Sequence, residues 1–434
     1  MTTIYLRTSE SERAPASGVL LDWFGRGGSS TVSGSLAELV RELGAPQAPY
    51  VDLLRLAVAT YGADKVVLRE RARDRWTRRL RLHVPVSDAA PWNSASAAFA
   101  EALAYLTSDD WHLRFRRGHQ SEPSDAGAAL GRFDTVSLFS GGLDSLAGAI
   151  DLLEAGRNVI LVGHYDSNLL MPRQRTLFER LRDAYGADRV LYRPFYLRPL
   201  GAQAAQAVPL PPDREPTTRS RSFLFIAAAA VTASAAGLAV VRMPENGYIG
   251  LNIPLEPSRI GACSTRTTHP HFLRLLAEAR AEAGINLAVE NPYRLKTKGE
   301  VLQECRNREL LLQLAPATIS CAHPEVGRWS HQSYANCGYC YPCLMRRVSL
   351  HRLDADAASD YRIDVGEPGF LRVQGRKTEH LRAILQSLSR PTTLTDVLSA
   401  GPLPRGEALE FAALYERGRE EIRAWLTMAV PAST

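Results

Sequence analysis

A short turn with the sequence SGGLDS lies between a strand-like segment and a helix-like segment. Gly141 and Gly142 can adopt positive φ and allow a close approach of the backbone, while Ser140 and Ser145 add hydroxyl groups. A helix that begins near Ser145 would direct its positive dipole end toward the turn. We expect an anion site here, with phosphate as the anion. Asp144 would then bind a Mg²⁺ ion carried by the phosphates of a nucleotide.

The turn differs from the phosphate loop of kinase-like NTPases. That loop has the pattern GxxxxGK[ST], and no lysine follows the glycines here. An ordinary βα turn with a serine cap is the alternative interpretation. The strand, the turn and the helix follow one another in register, which favours the phosphate site.

A second group of residues has the spacing of metal ligands. Its four members are Cys321, Cys337, Cys340 and Cys343. Two residues separate each neighbouring pair of the last three, and four thiolates suit a closed tetrahedral zinc site. Disulfides are the competing use of cysteine, but a cytoplasmic chain favours metal. His323 or His331 could replace Cys321 as the fourth ligand.

The remaining two cysteines have separate interpretations. Cys305 lies in a helix-like segment, where we expect a buried thiol. Cys263 is a candidate nucleophile, although no activating partner is evident in the sequence.

Strands and helices alternate after residue 130. This alternation predicts right-handed crossovers and a doubly wound parallel sheet with helices on both faces, so the fold class is α/β. The segment that begins AVVRM is expected to be one of its strands. Ligands of such sheets bind beyond the carboxyl ends of the strands, where SGGLDS lies.

The predicted elements divide the chain into three regions: 1–130, 131–365 and 366–434. The first region is expected to be a separate mixed α/β unit that ends in a polar linker. Its predicted helix is VDLLRLAVATYG, and its predicted strands are DKVVLRE, TRRLRLHVPV and HLRFRR. The third region is expected to be helical. Within the second region, the Pro-rich segment 200–220 is expected to be a loop that can order over a ligand.

Composition limits the classes of function. The chain has 434 residues, 45% of them apolar and 23% charged, and its longest apolar stretch is too short for a bilayer. The N-terminal residues lack the pattern of a secretory signal, so we expect a cytoplasmic protein with no membrane partner. The net charge of +6 comes almost entirely from arginine, an excess that base composition explains. The basic segments 71–83 and 111–117 also fit strands with one wet face, so nucleic acid is not the expected direct substrate.

The SGGxDS pattern resembles the loop of the PP-loop ATP pyrophosphatases. Together with the Cys…CGxCxxC cluster, it resembles the 7-cyano-7-deazaguanine synthase (QueC-like) family over about residues 134–352. The resemblance implies ATP, Mg²⁺ and Zn²⁺ as cofactors. It also implies an enzyme that adenylates the carboxylate of 7-carboxy-7-deazaguanine, releases pyrophosphate and lets an amine displace AMP.

The resemblance assigns roles to individual residues. The five residues Ser140, Gly141, Gly142, Asp144 and Ser145 are similar to the pyrophosphate and Mg²⁺ site. Arg221 resembles the arginine of a PARN segment and would face phosphate or substrate, or else lie on the surface at a helix start. Lys298 resembles a lysine that follows the second core segment. The implied catalytic residues are Asp144, Ser145 and Lys298, and the four cysteines are the implied zinc ligands.

Two departures from the family pattern concern the substrate. A YPDCR-like segment is replaced by STRTTHP, and the tyrosine-glycine-glutamine after the second strand reads Tyr165, Asp166, Ser167. Arg266 and His269 therefore become candidates for an altered substrate site. His269 precedes a proline and is equally suited to cap a helix.

Longer QueC-like proteins that contain RTTHP resemble those of bacterial antiphage defence, the Qat type. That branch implies a deazaguanine joined by an amide to the N-terminus of a partner protein, which the first region would dock. One alternative is nitrile synthesis with ammonia, for queuosine or for deazaguanine in DNA. A tRNA thiolase is disfavoured because few cysteines remain outside the cluster. A non-catalytic nucleotide-binding subunit is the alternative from another class.

Overall fold

The computed structural model describes residues 1–13, 15, 17–24, 30–44, 46–118, 130–165, 170–201, 208–255, 266–322, 336–372 and 375–429. The strands are β1 (Thr2–Arg7), β2 (Val19–Asp22), β3 (Val32–Gly34), β4 (Arg79–Val86), β5 (Asp110–Arg117), β6 (Thr135–Leu138), β7 (Val159–His164), β8 (Val190–Phe195), β9 (Leu197–Pro199), β10 (Val240–Arg242) and β11 (Ala288–Glu290). The helices are α1 (Leu36–Glu42), α2 (Ala48–Val66), α3 (Ala89–Ser94), α4 (Ser96–Thr107), α5 (Leu143–Glu154), α6 (Leu170–Tyr185), α7 (Arg221–Ala235), α8 (Gly247–Leu251), α9 (Pro270–Glu282), α10 (Lys298–Gln303), α11 (Arg308–Leu314), α12 (Tyr341–His351), α13 (Arg376–Leu388), α14 (Leu394–Leu398) and α15 (Ala408–Ala429).

The central sheet of the described residues has the strand order β11-β10-β6-β7-β8, and every neighbouring pair is parallel. The chain runs outward from β6 through β7 to β8, and then crosses to the other side of β6 for β10. The order therefore reverses between β6 and β10. A crevice forms at such a reversal, beyond the carboxyl ends of the two strands.

Helices cover both faces of this sheet. Val159 and Leu161 of β7 pack in one core cluster with α5 and α6, whereas Ile160 and Val162 pack in another cluster with α7. All six residues of β7 are buried, as expected for a parallel strand covered on both faces. The α/β class with parallel sheets, predicted from the alternation, is confirmed.

The N-terminal region contributes a second parallel sheet in the described residues, with the order β2-β1-β4-β5. Its helix α2 packs against α7, and both helices contribute to one core cluster. The short strand β3 also pairs with β9, which follows β8. The first region is thus joined to the central sheet by a shared core as well as by a strand pair.

A buried carboxylate fixes this contact. Asp64 of α2 accepts hydrogen bonds from the backbone N–H groups of Arg219 and Ser220, at 2.8 and 2.9 Å, and pairs with Arg78 at 2.6 Å. Burial raises the pKa of Asp64, but the charge of Arg78 and these hydrogen bonds outweigh it and lower the pKa. The carboxylate therefore stays ionised and holds the residues immediately before α7.

Three local predictions meet different outcomes. DKVVLRE was expected to be a strand, but it continues α2 to Val66 because the helical pattern of the preceding residues extends into it. The strand at AVVRM is only three residues long, and a polar turn and α8 follow it. The described part of the 200–220 loop docks on the N-terminal region, where Lys65 donates to the carbonyl of Glu215.

The C-terminal region is helical, as predicted. Helices α13, α14 and α15 surround a core cluster that contains Phe411, Leu414 and Trp425. Tyr415 of α15 stacks on Tyr248 of α8, with ring centroids 5.1 Å apart. No helix in the described ranges combines the length and the hydropathy needed to cross a bilayer.

Asp64→Asn should lower the free energy of unfolding by about 3 kcal/mol, because it removes a fully buried charge that has several partners. Asp213→Asn is the matched control, since Asp213 pairs with Arg71 at the exposed surface and should contribute less than about 1 kcal/mol. Urea unfolding followed by circular dichroism measures both. Equal unfolding midpoints for the two variants would contradict the anchoring role of Asp64.

Candidate functional site

The SGGLDS turn follows β6 directly. Gly141 has φ of +82°, a conformation that glycine adopts without strain, and an added Cβ would lie 2.9 Å from Gln174. Ser140 Oγ accepts from the N–H of Gly142 at 3.3 Å and lies 3.2 Å from Ser145 Oγ. Gly142 is the N-cap of α5, so the N–H groups of the first turn have no intrahelical acceptor. This local geometry suits an anion.

Gln174 of α6 holds the backbone of the turn through hydrogen bonds. Its Nε2 donates to the carbonyl of Ser140 at 2.9 Å and to the carbonyl of His164 at 3.1 Å. Tyr192 of β8 donates to Gln174 Oε1 at 2.8 Å. One buried amide therefore ties together the carboxyl ends of β6 and β7. Periodicity in the sequence marks Gln174 only as a polar residue among the core positions of a helix.

Arg221 reaches the same edge of the sheet. It is the first residue of α7, and its Nε donates to Nδ1 of His164 at 3.0 Å. Burial, and secondarily the charge of Arg221, holds the pKa of His164 well below its usual range. The imidazole is therefore neutral and accepts the hydrogen bond. His164, which the sequence analysis did not identify, orients the predicted phosphate residue Arg221.

Asp144 is held from two sides. Lys298 Nζ lies 2.7 Å from Oδ1, and Asn246 Nδ2 donates to Oδ2 at 2.8 Å. The side chain of Asp144 is 7% exposed and that of Lys298 is 11% exposed, so water screens the pair only weakly. Asn246 also caps α8 by accepting from the N–H of Ile249. The structure thus brings together the predicted residues Asp144 and Lys298.

Glu245 adds a second carboxylate to this group. Burial and then the negative charge of Asp144 raise its pKa to about 8, while the charge of Lys298 acts in the opposite direction. Glu245 and Asn246 lie three and four residues after the end of the short strand β10, on the far side of the strand reversal from Asp144. Neither residue was predicted as a site residue, because both were assigned to a strand-like segment.

The four cysteines form a compact cluster. All four Sγ atoms lie within 4.8 Å of one another. The Sγ atoms of Cys321 and Cys340 are 3.9 Å apart, and those of Cys337 and Cys343 are 3.8 Å apart. Tetrahedral zinc with Zn–S bonds of about 2.3 Å would separate its sulfurs by about 3.8 Å. The cluster could therefore hold a metal ion such as zinc, as the spacing predicted.

The backbone around the cysteines supports this geometry. Cys340 is the N-cap of α12, and Cys343 lies in the first turn of that helix. The N–H of Cys340 points at Cys337 Sγ at 3.4 Å, and the N–H of Ala322 points at Cys340 Sγ at the same distance. Gly338 has φ of +86°, and a Cβ there would meet the carbonyl of Ile363. N–H groups aimed at sulfur stabilise thiolates.

The cysteine cluster is connected to the SGGLDS turn. The N–H of Ile319 donates to the carbonyl of Gly141 at 3.0 Å, two residues before Cys321. Asn336, beside Cys337, accepts from the N–H of Ser320 at 3.0 Å and donates to the carbonyl of Thr318. The segment that a metal would fix therefore also holds the backbone of the glycine turn.

Helix α15 holds the helix that carries Lys298. Glu421 accepts from the hydroxyl of Thr297 and from the N–H of Gly299, the residues on either side of Lys298. Arg417 donates to Glu300 at 2.6 Å. Thr297 and Glu300 in turn form the capping box of α10. The C-terminal helix α15 thus holds the N-terminus of α10, where Lys298 is the first residue.

The structure places Arg266 and His269 against α4 of the N-terminal region. Arg266 donates to the carbonyl of Tyr105 at 3.0 Å, and its guanidinium lies 4.6 Å from the centre of that ring. His269 is fully buried and caps α9, because its Nδ1 accepts from the N–H of His271. Burial lowers the pKa of His269 to about 3. A substrate contact from these two residues stays a prediction.

Several predictions concern residues outside the described ranges. They are Asp166, Ser167, Cys263, His323 and His331. Cys305 is described, and it is buried with a pKa raised to about 12 by burial. The prediction of a buried thiol at Cys305 is confirmed.

Comparison with known proteins gives no assignment for this site. No model of a protein family matches the sequence. No curated protein matches it either.

Removing metal from the purified protein should lower its melting temperature, because a site closed by four thiolates contributes to folding. A chelator strong enough to strip zinc, with metal content followed by mass spectrometry, gives the measurement. Cys343→Ser should reproduce the shift without chelator, whereas Cys305→Ser, outside the cluster, should bind the same amount of metal as the wild-type chain. An unchanged melting temperature after complete metal loss would exclude the structural role.

Proposed function

We propose that this chain is an ATP-dependent carbon–nitrogen ligase of the QueC-like PP-loop type. In the first step, a carboxylate oxygen of 7-carboxy-7-deazaguanine attacks the α-phosphorus of ATP, and the bond to the bridging oxygen breaks to release pyrophosphate. In the second step, an amine nitrogen attacks the carboxyl carbon and AMP leaves, with loss of a proton from the nitrogen. The acceptor is the N-terminal amine of a partner protein in antiphage defence.

One observation carries the nucleotide assignment. The glycine turn after β6 and the polar turn after β10 meet at the reversal of strand order, where Asn246 donates to Asp144 at 2.8 Å. Open parallel sheets bind their ligands at this location. The helix start at Gly142, the paired serine hydroxyls and Arg221 supply donors and positive charge on the same edge.

The carboxylates of this site fit a magnesium ion. Asp144 and Glu245 are the candidate ligands, because the charge of Asp144 is close enough to raise the pKa of Glu245. Oxygen ligands of this kind are those that Mg²⁺ prefers, together with phosphate oxygens. When bound, the ion would neutralise charge on the phosphates. Lys298 supplies a positive charge at the same carboxylate and is suited to stabilise the charge that develops on the leaving pyrophosphate.

The position of the N-terminal region supports a protein acceptor. Strand β3 of that region pairs with β9, which begins two residues after the carboxyl end of β8. The N-terminal region therefore borders the sheet edge that carries the SGGLDS turn. A partner docked on that region would present its terminus close to an activated carboxylate.

The purified protein with ATP, Mg²⁺ and 7-carboxy-7-deazaguanine tests the proposal. AMP and pyrophosphate should form, and mass spectrometry should detect no nitrile when ammonium is added. A nitrile formed with ammonium alone would instead make the chain a 7-cyano-7-deazaguanine synthase. No AMP under any of these conditions would favour a non-catalytic nucleotide-binding subunit.

Asp144→Ala should reduce AMP formation at least a hundredfold, because it removes the candidate metal ligand and the partner of Lys298. Asp188→Ala is the matched control, since the side chain of Asp188 is 90% exposed in a surface ion pair. Circular dichroism should show that both variants are folded. Wild-type turnover by the Asp144 variant would refute the site assignment.

Glu421→Ala should lower kcat about tenfold and change KM for ATP much less, because Glu421 acts through the start of α10 and not on the nucleotide. Glu421→Gln should recover part of the loss, since its amide oxygen can still accept from Thr297. The neighbouring exposed residue provides the control, Glu420→Ala. Identical kinetics for the two alanine variants would remove the positioning role.

A further inference from the structure

A second concave site lies between the N-terminal region and the segment before α7. Its volume is about 450 Å³, within the range of small-molecule pockets. Residues 68–70, 75 and 76 form one wall, and residues 213–217 and 219 form the other. Four arginines line it together with one aromatic ring. They are Arg69, Arg75, Arg214, Arg219 and Trp76. None of these residues takes part in the site at the central sheet.

Two of the arginines are buried beneath the cavity. Arg69 and Arg219 are each 4% exposed. The terminal nitrogens of Arg69 donate to the carboxylate of Asp109, but its buried Nε has no hydrogen-bond acceptor among the described residues. The guanidinium of Arg219 lies 4.4 Å from the centre of the Trp76 ring. Burial, and then the nearby charge of Arg69, lowers the pKa of Arg219 to about 10. Three acidic residues, Glu70, Asp213 and Glu215, also line the cavity, so its guanidinium groups outnumber its carboxylates by one.

The rim of the cavity is fixed in shape. Asp74 accepts hydrogen bonds from the N–H groups of Trp76 and Thr77, at 2.9 and 2.8 Å. Arg75 takes a positive φ of 56° in this turn, and its exposed side chain makes no ion pair with the described residues. The turn thus presents an uncompensated guanidinium beside a half-buried indole ring.

Residues 71–83, which include this turn, are rich in arginine, but several of these arginines form ion pairs away from the cavity. Arg78 is buried between Asp64 and Asp109, and Arg79 pairs with Asp110. A polynucleotide needs a continuous row of available cations. A concave site with one available rim arginine suits a small ligand better.

We propose that this cavity binds a small planar molecule that carries a carboxylate or phosphate group. The arginine side chains hold the oxyanion, since guanidinium groups match the geometry of carboxylate and phosphate oxygens. The indole of Trp76 provides an aromatic contact for the planar part. This site is independent of the ATP-dependent reaction proposed above.

Trp76 reports on its own cavity through its fluorescence. Two probes distinguish the possible oxyanions: AMP for phosphate and phthalate for carboxylate. At least one of them should change the emission of the wild-type protein in a saturable way, and Trp76→Phe should abolish that change. The substitution also separates this site from the central sheet, where AMP would leave the emission of Trp76 unaltered.

Arg75→Ala should weaken binding of the active probe about tenfold, as expected for the loss of a charge-assisted contact. Arg73→Ala is the matched control, because Arg73 is an exposed arginine in the same turn that does not line the cavity. Arg75→Lys, which keeps the positive charge on a side chain of similar length, should lose less. Absence of a saturable change with both probes would overturn the proposal, and so would equal affinities of the Arg75→Ala and Arg73→Ala variants. Neither result would alter the turnover test of Asp144.

Discussion

The interaction on which the candidate site depends is the pairing of Asp144 with partners from across the strand reversal. Asp144 lies in the first turn of the helix after β6, whereas Asn246 follows β10 and Lys298 starts α10. A nearly buried carboxylate is costly unless each oxygen has a partner. The ammonium and the amide satisfy both oxygens, so three segments that are far apart in sequence must converge here. The crevice of the parallel sheet thereby becomes a defined charged site.

Structure outside the central sheet holds this site in place. The segment that leads to the cysteine cluster binds the backbone of Gly141 through Ile319. Helix α15 fixes the start of α10 through Glu421, and Asp64 fixes the residues before Arg221. Each support contacts a site residue through its backbone or contacts the residue next to it in sequence, and none of them contacts the functional group of that site residue. The additional regions of the chain therefore do more than enlarge the protein.

Much of the fold follows from local pattern. Strands such as β7 are continuous apolar runs, and the amphipathic or alanine-rich runs between them form helices. Prediction was wrong at DKVVLRE, where Val66 is the last residue of α2 and Val67 follows the helix. It also missed the turn after β10, because a strand of three residues carries too little pattern to mark its end. For that reason Glu245 and Asn246 were not predicted as site residues.

The sequence by itself determined the alternation that produces a parallel sheet, the glycine turn after its first strand and the four-cysteine spacing, because each depends on neighbours within a few residues. Only the tertiary structure decided which residues complete the site. The strand order places the end of β10 beside the end of β6, although the two are about a hundred residues apart in the chain. The contacts of Asp144 with Asn246 and of Arg221 with His164 depend on that order, since local sequence does not encode which strands become neighbours.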